Sequence, residues 1–203
     1  MRAIVLTMCA GLLVSCGKAS VITAPDLSSV HWGLVETESH LSFVTIKKGE
    51  VAEVHSFEGL AGSVDKDGNA VVQIVLDTLQ TNIDIRNTRM REHLFQTNLH
   101  PFATIKTNLN MSDLRQMEIG ARTNMDIELD VNLHNISSLI EAELLVTRIG
   151  GDKVLVETSV PILVHADEFD LLEGVDILRE LAKLPSITPI VPINFSLVFE
   201  VKS

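Results

Sequence analysis

The chain has 203 residues, 46% of them hydrophobic and 21% charged, which fits one globular domain of moderate size and excludes intrinsic disorder. Sixteen Lys and Arg against 27 Asp and Glu give a formal charge of -11, the wrong sign for a nucleic-acid backbone as the main partner. Only 4% of residues are aromatic and none is Tyr, so stacking platforms for bases or sugars are not expected, and two Cys cannot build a disulfide scaffold.

At the N-terminus, Arg2 precedes an apolar run over residues 3–14. A bilayer-spanning helix needs roughly 20 residues, so this run reads as an export signal. It ends in Leu13-Val14-Ser15-Cys16, which resembles the lipobox of bacterial lipoproteins, where the Cys is lipidated and becomes the first mature residue. The competing readings are an ordinary secretory signal with an incidental Cys, or a cytosolic chain with a buried N-terminal helix. The lipobox reading divides the chain into a signal peptide (1–15), a lipidated N-terminus and spacer (16–30) and one domain (31–203). It expects an acyl anchor at Cys16, with the domain in a bacterial cell envelope and facing the periplasm. Gly17 in place of an Asp favours the outer membrane over the inner. Cys9 leaves with the signal, so no disulfide can form.

Beyond residue 30 the pattern has period two. Met125, Ile127, Leu129, Val131 and Leu133 alternate with Asp126, Glu128, Asp130, Asn132 and His134. Ile193, Phe195, Leu197, Phe199 and Val201 alternate with mostly polar neighbours. Weaker alternation covers 41–47, 51–58, 71–79, 102–109, 139–147 and 153–165, so roughly eight strands with one dry face are expected. Turn chemistry at 47–50, 65–69 and 150–152 joins them. Without long helices between successive strands, the expected product is all-β, an antiparallel barrel or a sandwich. In a closed barrel Phe43, Leu129, Val131, Phe195, Leu197 and Phe199 would point inward and line any ligand cavity. Two segments break the period. Residues 86–98 place Met90, Leu94 and Phe95 at helical spacing, and 169–184 align Phe169, Leu172, Val175, Leu178 and Leu181 before Pro185. Each is either a lid over a barrel mouth or a plug in its core.

Motifs of catalysis are scarce. The seven His are dispersed, neither Cys has zinc spacing, and no nucleophile elbow, phosphate loop or dinucleotide fingerprint occurs. Asp65-Lys66-Asp67-Gly68-Asn69 lacks the Glu of a calcium loop and reads as a hairpin turn. Arg86, Arg89, Arg91, Glu92 and His93 form the one dense mixed-charge cluster. It either holds a polar headgroup at a barrel mouth or is a solvated face with weak local ion pairs.

From about His31 to Ser203 the sequence resembles the YceI-like family. The matching residues are Thr81-Asn82-Ile83-Asp84-Ile85-Arg86-Asn87, Arg89-Met90-Arg91-Glu92-His93-Leu94-Phe95 and His100-Pro101-Phe102-Ala103-Thr104-Ile105. Trp32, Ser39-His40, Phe57-x-Gly59 and Asp130-Val131-Asn132-Leu133-His134-Asn135 add to them. The resemblance departs at Met90 and Arg91, which stand where the family has Arg and Asp. It implies an extended, lipocalin-like antiparallel barrel with short helices near its mouth and a tunnel for a polyisoprenoid or an isoprenoid quinone. The headgroup candidates are then Arg86, Arg89, Arg91 and His93. No cofactor is expected other than such a lipid as ligand. Expected partners are the lipid, the membrane through the acyl anchor, and a membrane redox protein. The competing functions are a scaffold module with a packed barrel and an enzyme acting on isoprenoids.

Overall fold

The computed structural model describes residues 31–111, 114 and 116–202, so the expectations for residues 1–30 lie outside it. Within that range the period-two segments form β1 (His31–Leu34), β2 (His40–Lys47), β3 (Val51–Phe57), β4 (Leu60–Val64), β5 (Asn69–Val75) and β6 (Leu79–Gln80). After the helix α1 (Asp84–Arg89) come β7 (Phe102–Asn108), β8 (Arg122–Leu133), β9 (Ile136–Arg148), β10 (Lys153–Thr158) and β11 (Ile162–His165). The helix α2 (Leu172–Leu181) and β12 (Ile190–Lys202) complete the chain. Every ladder is antiparallel.

These strands make eight staves of one closed barrel, because four staves are interrupted. β1 and β2 lie end to end along one edge of β12, and β10 and β11 along the other. β3 with β4, and β5 with β6, are broken in the same way. β1 pairs with both β12 and β4, which closes the ring. Closure leaves no long edge for foreign strands to pair with. The expected strand at 153–165 is divided because Pro161 has no N–H for the ladder. That at 71–79 is divided by the tight turn Leu76–Thr78.

At three breaks a hydroxyl takes over the lost ladder bonds. Ser39 Oγ donates to the Val35 carbonyl (2.8 Å) and accepts from the Val198 N–H (3.0 Å). Thr78 Oγ1 donates to the Val75 carbonyl and accepts from the Gly59 N–H (2.8 Å). Thr158 Oγ1 accepts from the Phe195 N–H at 3.4 Å. Backbone groups that would be orphaned in the wall are thereby satisfied, at a gain of about 1 kcal/mol each.

The two ends of the barrel differ. One end is closed by the loop after β7, with Met111 and Met117 buried beneath it. The buried Arg148 guanidinium ties that loop to the β9–β10 turn, donating to the Met117 (2.7 Å) carbonyl of the one and the Gly150 (3.1 Å) and Gly151 (2.7 Å) carbonyls of the other. The β4–β5 hairpin is at this end too, where Asp65 Oδ1 accepts from the Asp67 and Asn69 N–H groups (both 2.9 Å), as the turn reading expects. Gly68 there has φ 87° and packs on the Leu109 carbonyl oxygen, leaving no place for a side chain. β1 starts at the same end, His31 pairing with Lys202.

At the opposite end, where β12 begins, the wall splays and helices fill the gap. The segment read as one helix over 86–98 is α1 followed by a π-helical turn, Met90–Phe95. Its wider i→i+5 spacing keeps Met90 and Phe95 buried with Leu94 against the core, and leaves Glu92 exposed. The 169–184 stripe is also corrected. Asp170 adopts a left-handed conformation (φ 56°) that separates the fully buried Phe169 from α2. Leu172 and Leu181 are consequently exposed, whereas Leu171, Val175, Leu178 and Ala182 share the inner face.

Candidate functional site

Beneath these helices lies a cavity of about 440 Å³. Its walls come from the mouth-side halves of the strands, where alternation sends every second side chain inward. Phe43, Leu129, Val131 and Phe195 line it, as do Leu94 of the π-helical turn and Val175 and Leu178 of α2. A second chamber of about 100 Å³ lies toward the closed end, lined by Leu197, Phe199 and Trp32. Ile105, Leu129 and Phe195 border both chambers. All six residues expected to face inward therefore line the barrel interior, four in the upper chamber and four in the lower.

The helices act in both of the roles left open by the sequence. Met90 and Phe95 belong to the core, and Phe95 meets Phe57 edge-on with centroids 5.7 Å apart. Ile83, Ile85 and Ala182 border the opening.

Polar groups in the cavity are confined to one sector near the mouth, set by the β2–β3 hairpin register. That register pairs Lys47 with Val51, Thr45 with Glu53, and Phe43 with His55. Glu53 Oε2 accepts from Lys47 Nζ (2.7 Å) and from Arg86 Nη1 (2.8 Å), and Arg86 Nη2 also donates to the Thr81 carbonyl (2.7 Å). The Lys47 hydrogen bond holds the Glu53 carboxyl below its ordinary value, and Arg86 adds to this against the opposing effect of burial. One layer deeper His55 is buried, its Nε2 2.8 Å from Thr45 Oγ1 and its ring edge-on to Phe43 at 5.2 Å. Burial, then the Arg86 charge, pushes His55 down to about 4, so the ring is neutral near pH 7.

The four headgroup candidates divide. Arg86 and Arg89 border the cavity, Arg86 committed to Glu53 and Thr81, and Arg89 reaching the Leu181 carbonyl at 3.4 Å. Arg91 and His93 are not brought to it. Arg91 donates to the Asp77 carbonyl (3.0 Å), and His93 lies beside Glu92 at 3.9 Å, both on the outer side of the π-helical turn. Two of the dispersed histidines, His100 and His134, come into ring contact at 4.2 Å. No group of three or more His, Cys, Asp or Glu among the described residues is arranged to hold a metal ion.

The YceI-like domain model matches residues 32–199, the whole barrel from β1 into β12. The chain belongs to the YceI-like family. The structure of a polyisoprenoid binding domain from Saccharophagus degradans, implicated in plant cell wall breakdown, is 32% identical with a TM-score of 0.83. That similarity covers 85% of this chain and 99% of the other. Burkholderia cenocepacia BcnA shares the fold at 14% identity and a TM-score of 0.63, over 81% of this chain and 98% of its own. The Campylobacter jejuni YCEI protein shares it at 11% identity and 0.53, over 73% and 84%. No curated protein matched the sequence.

Proposed function

We propose that this YceI-like barrel binds a long isoprenoid lipid, a polyisoprenoid or an isoprenoid quinone, and stores, carries or shields it. The observation that carries the reading is the cavity of about 440 Å³, with its apolar walls and a further chamber beneath it. That volume is in the range of small-molecule sites. Burying about 20 carbons at ~0.8 kcal/mol each gives a gross ~16 kcal/mol. Association and ordering cost about 4–15 kcal/mol, which leaves ordinary affinity. The 32% identity to a polyisoprenoid binding domain supports the ligand class. A binding role rather than a catalytic one is supported by the polar sector, whose Lys47, Glu53, Arg86 and His55 are engaged with one another or with Thr45 and Thr81.

The proposal includes the acyl anchor at Cys16 and a place in the bacterial envelope facing the periplasm, with the outer membrane favoured. A membrane redox protein is the partner suited to exchange a quinone-like ligand. The test is solvent extraction of the purified chain followed by mass spectrometry. An isoprenoid close to one per chain is expected. A chain that yields no isoprenoid and takes up none when it is added would overturn the reading.

A further inference from the structure

We propose that the rim of the cavity mouth is a docking face for a phospholipid bilayer. Three segments make the rim: 47–54 at the β2–β3 turn, 83–89 at the start of α1, and 179–188 at the end of α2 and beyond. The backbone ties them together. The Lys48 N–H donates to the Ser186 carbonyl (3.0 Å) and the Thr188 N–H to the Ile46 carbonyl (2.8 Å). Arg86 reaches Glu53 and Arg89 reaches Leu181. The rim is thus one surface around the opening.

Its apolar residues are open to water. Ile83 is 45% exposed, Ile85 58% and Leu181 42%. Ile83 and Ile85 also line the cavity, so apolar surface runs unbroken from outside the protein into the upper chamber. Exposed apolar surface continuous with a binding cavity marks a contact face. Its continuity with a lipid-sized chamber selects a lipid surface as the occupant; in this the inference rests on the function proposed above.

Charge points the same way. The rim segments hold six Lys or Arg and four Asp or Glu, leaving ten basic against 23 acidic residues for the rest of the chain. On the rim Lys48, Arg89 and Lys183 take part in no ion pair among the described residues, as do Glu50 and Asp84. Glu53 is held by Lys47 and Arg86, and Glu180 lies 3.4 Å from Arg179. An anionic bilayer therefore repels the protein as a whole and attracts this face, which orients the mouth toward it. Cationic stems on a rim of isoleucines can extend to headgroups while the apolar tips enter the boundary. A second copy docked through the same face would instead set like charges against each other.

A solvatochromic dye on the full chain tests this, placed at Ile85→Cys on the rim or at Lys66→Cys by the closed end. Phosphatidylcholine vesicles carrying nitroxide lipid, with and without phosphatidylglycerol, are the probe. The rim dye is expected to shift blue and to be quenched several-fold more than the Lys66→Cys dye, more strongly with phosphatidylglycerol, and to lose the effect when Ile83→Asp is added. Ala182→Cys gives the same reading should Ile85→Cys fail to fold. Stronger quenching by the closed end than at the rim would overturn the inference. So would a rim dye that shifts with protein concentration in the absence of vesicles, which would assign the face to a second copy. Neither readout depends on a bound isoprenoid, so failure here is separable from failure of the ligand reading.

Discussion

Gly174 of α2 sits so close to His93 that a Cβ on it would lie 2.7 Å from the His93 carbonyl oxygen and 2.9 Å from the Leu94 Cα. Both neighbours are backbone and cannot rotate away. The contact joins α2 to the π-helical turn and sets how tightly the helices cover the cavity. Gly174→Val should cost about 1–3 kcal/mol by overpacking, outweighing the gain of well under 1 kcal/mol from better helix propensity. A lower Tm and faster loss of bound lipid in the same preparation are expected. An unchanged Tm would show that α2 does not pack this way.

Val131 and Asp130 offer a paired test of the cavity. Val131 lines the upper chamber, and its neighbour Asp130 lies on the opposite face of β8. Val131→Trp should occupy space that ligand uses, so bound lipid falls while Tm changes little. In a filled interior the same change would cost about 1–3 kcal/mol. Asp130→Trp should leave lipid bound. Lipid loss from Asp130→Trp alone would mean the inward register is inverted.

Stability should fall on mild acidification because of His55. Its folded value of about 4 is below the ordinary 6.5, so the unfolded chain binds the extra proton first. The stabilisation is present above pH 6.5 and is lost as pH drops from 6.5 toward 4. At 1.36 kcal/mol per unit, the full loss is about 3 kcal/mol. His134 is lowered as well, mainly by burial, and adds in the same direction. Glu53 is lowered from 4.5, so its contribution disappears at still lower pH. Denaturant unfolding at a series of pH values should show a shallower slope between pH 6.5 and 4 for His55→Leu. An identical slope would contradict the assignment.

The acyl anchor is checked by Cys16→Ala, which is expected to move the chain out of the membrane fraction. A membrane fraction unaltered by that change counts against lipidation.

Much of the barrel could be read from the chain because β8 and β12 carry an apolar residue at every second position along most of their length. β1 and β4 could not. They are four and five residues long, and Gly33 and Gly62 blur what alternation they have. Their place follows from closure of the ring, a non-local event. The inward-facing set was readable for the same reason that β8 and β12 were. The polar sector was missed although a signal existed: centring the turn on residues 48–50 fixes Thr45 opposite Glu53 and Phe43 opposite His55. Arg91 and His93 were misplaced by a change of helical period at Met90 that no residue type announces. Arg148 was not singled out either, because its burial depends on Met117, 31 residues away, as well as on the adjacent Gly150-Gly151 turn.

The entry of the chain at His31, beside Lys202 and at the pole farthest from the mouth, governs what a tether can do. β12 is 13 residues long, about 43 Å of strand, and a tilt near 40° makes that roughly 33 Å along the barrel axis. Residues 17–30 reach at most about 50 Å when fully extended. With the acyl anchor proposed at Cys16, a leash of that length would be just long enough to run back past the barrel and let the mouth meet the anchoring membrane. Removing about half of the leash would hold the opening clear of that membrane and leave only a facing one within range. Under the proposed anchor, spacer length would thus act as a ruler that selects which membrane surface the mouth can reach.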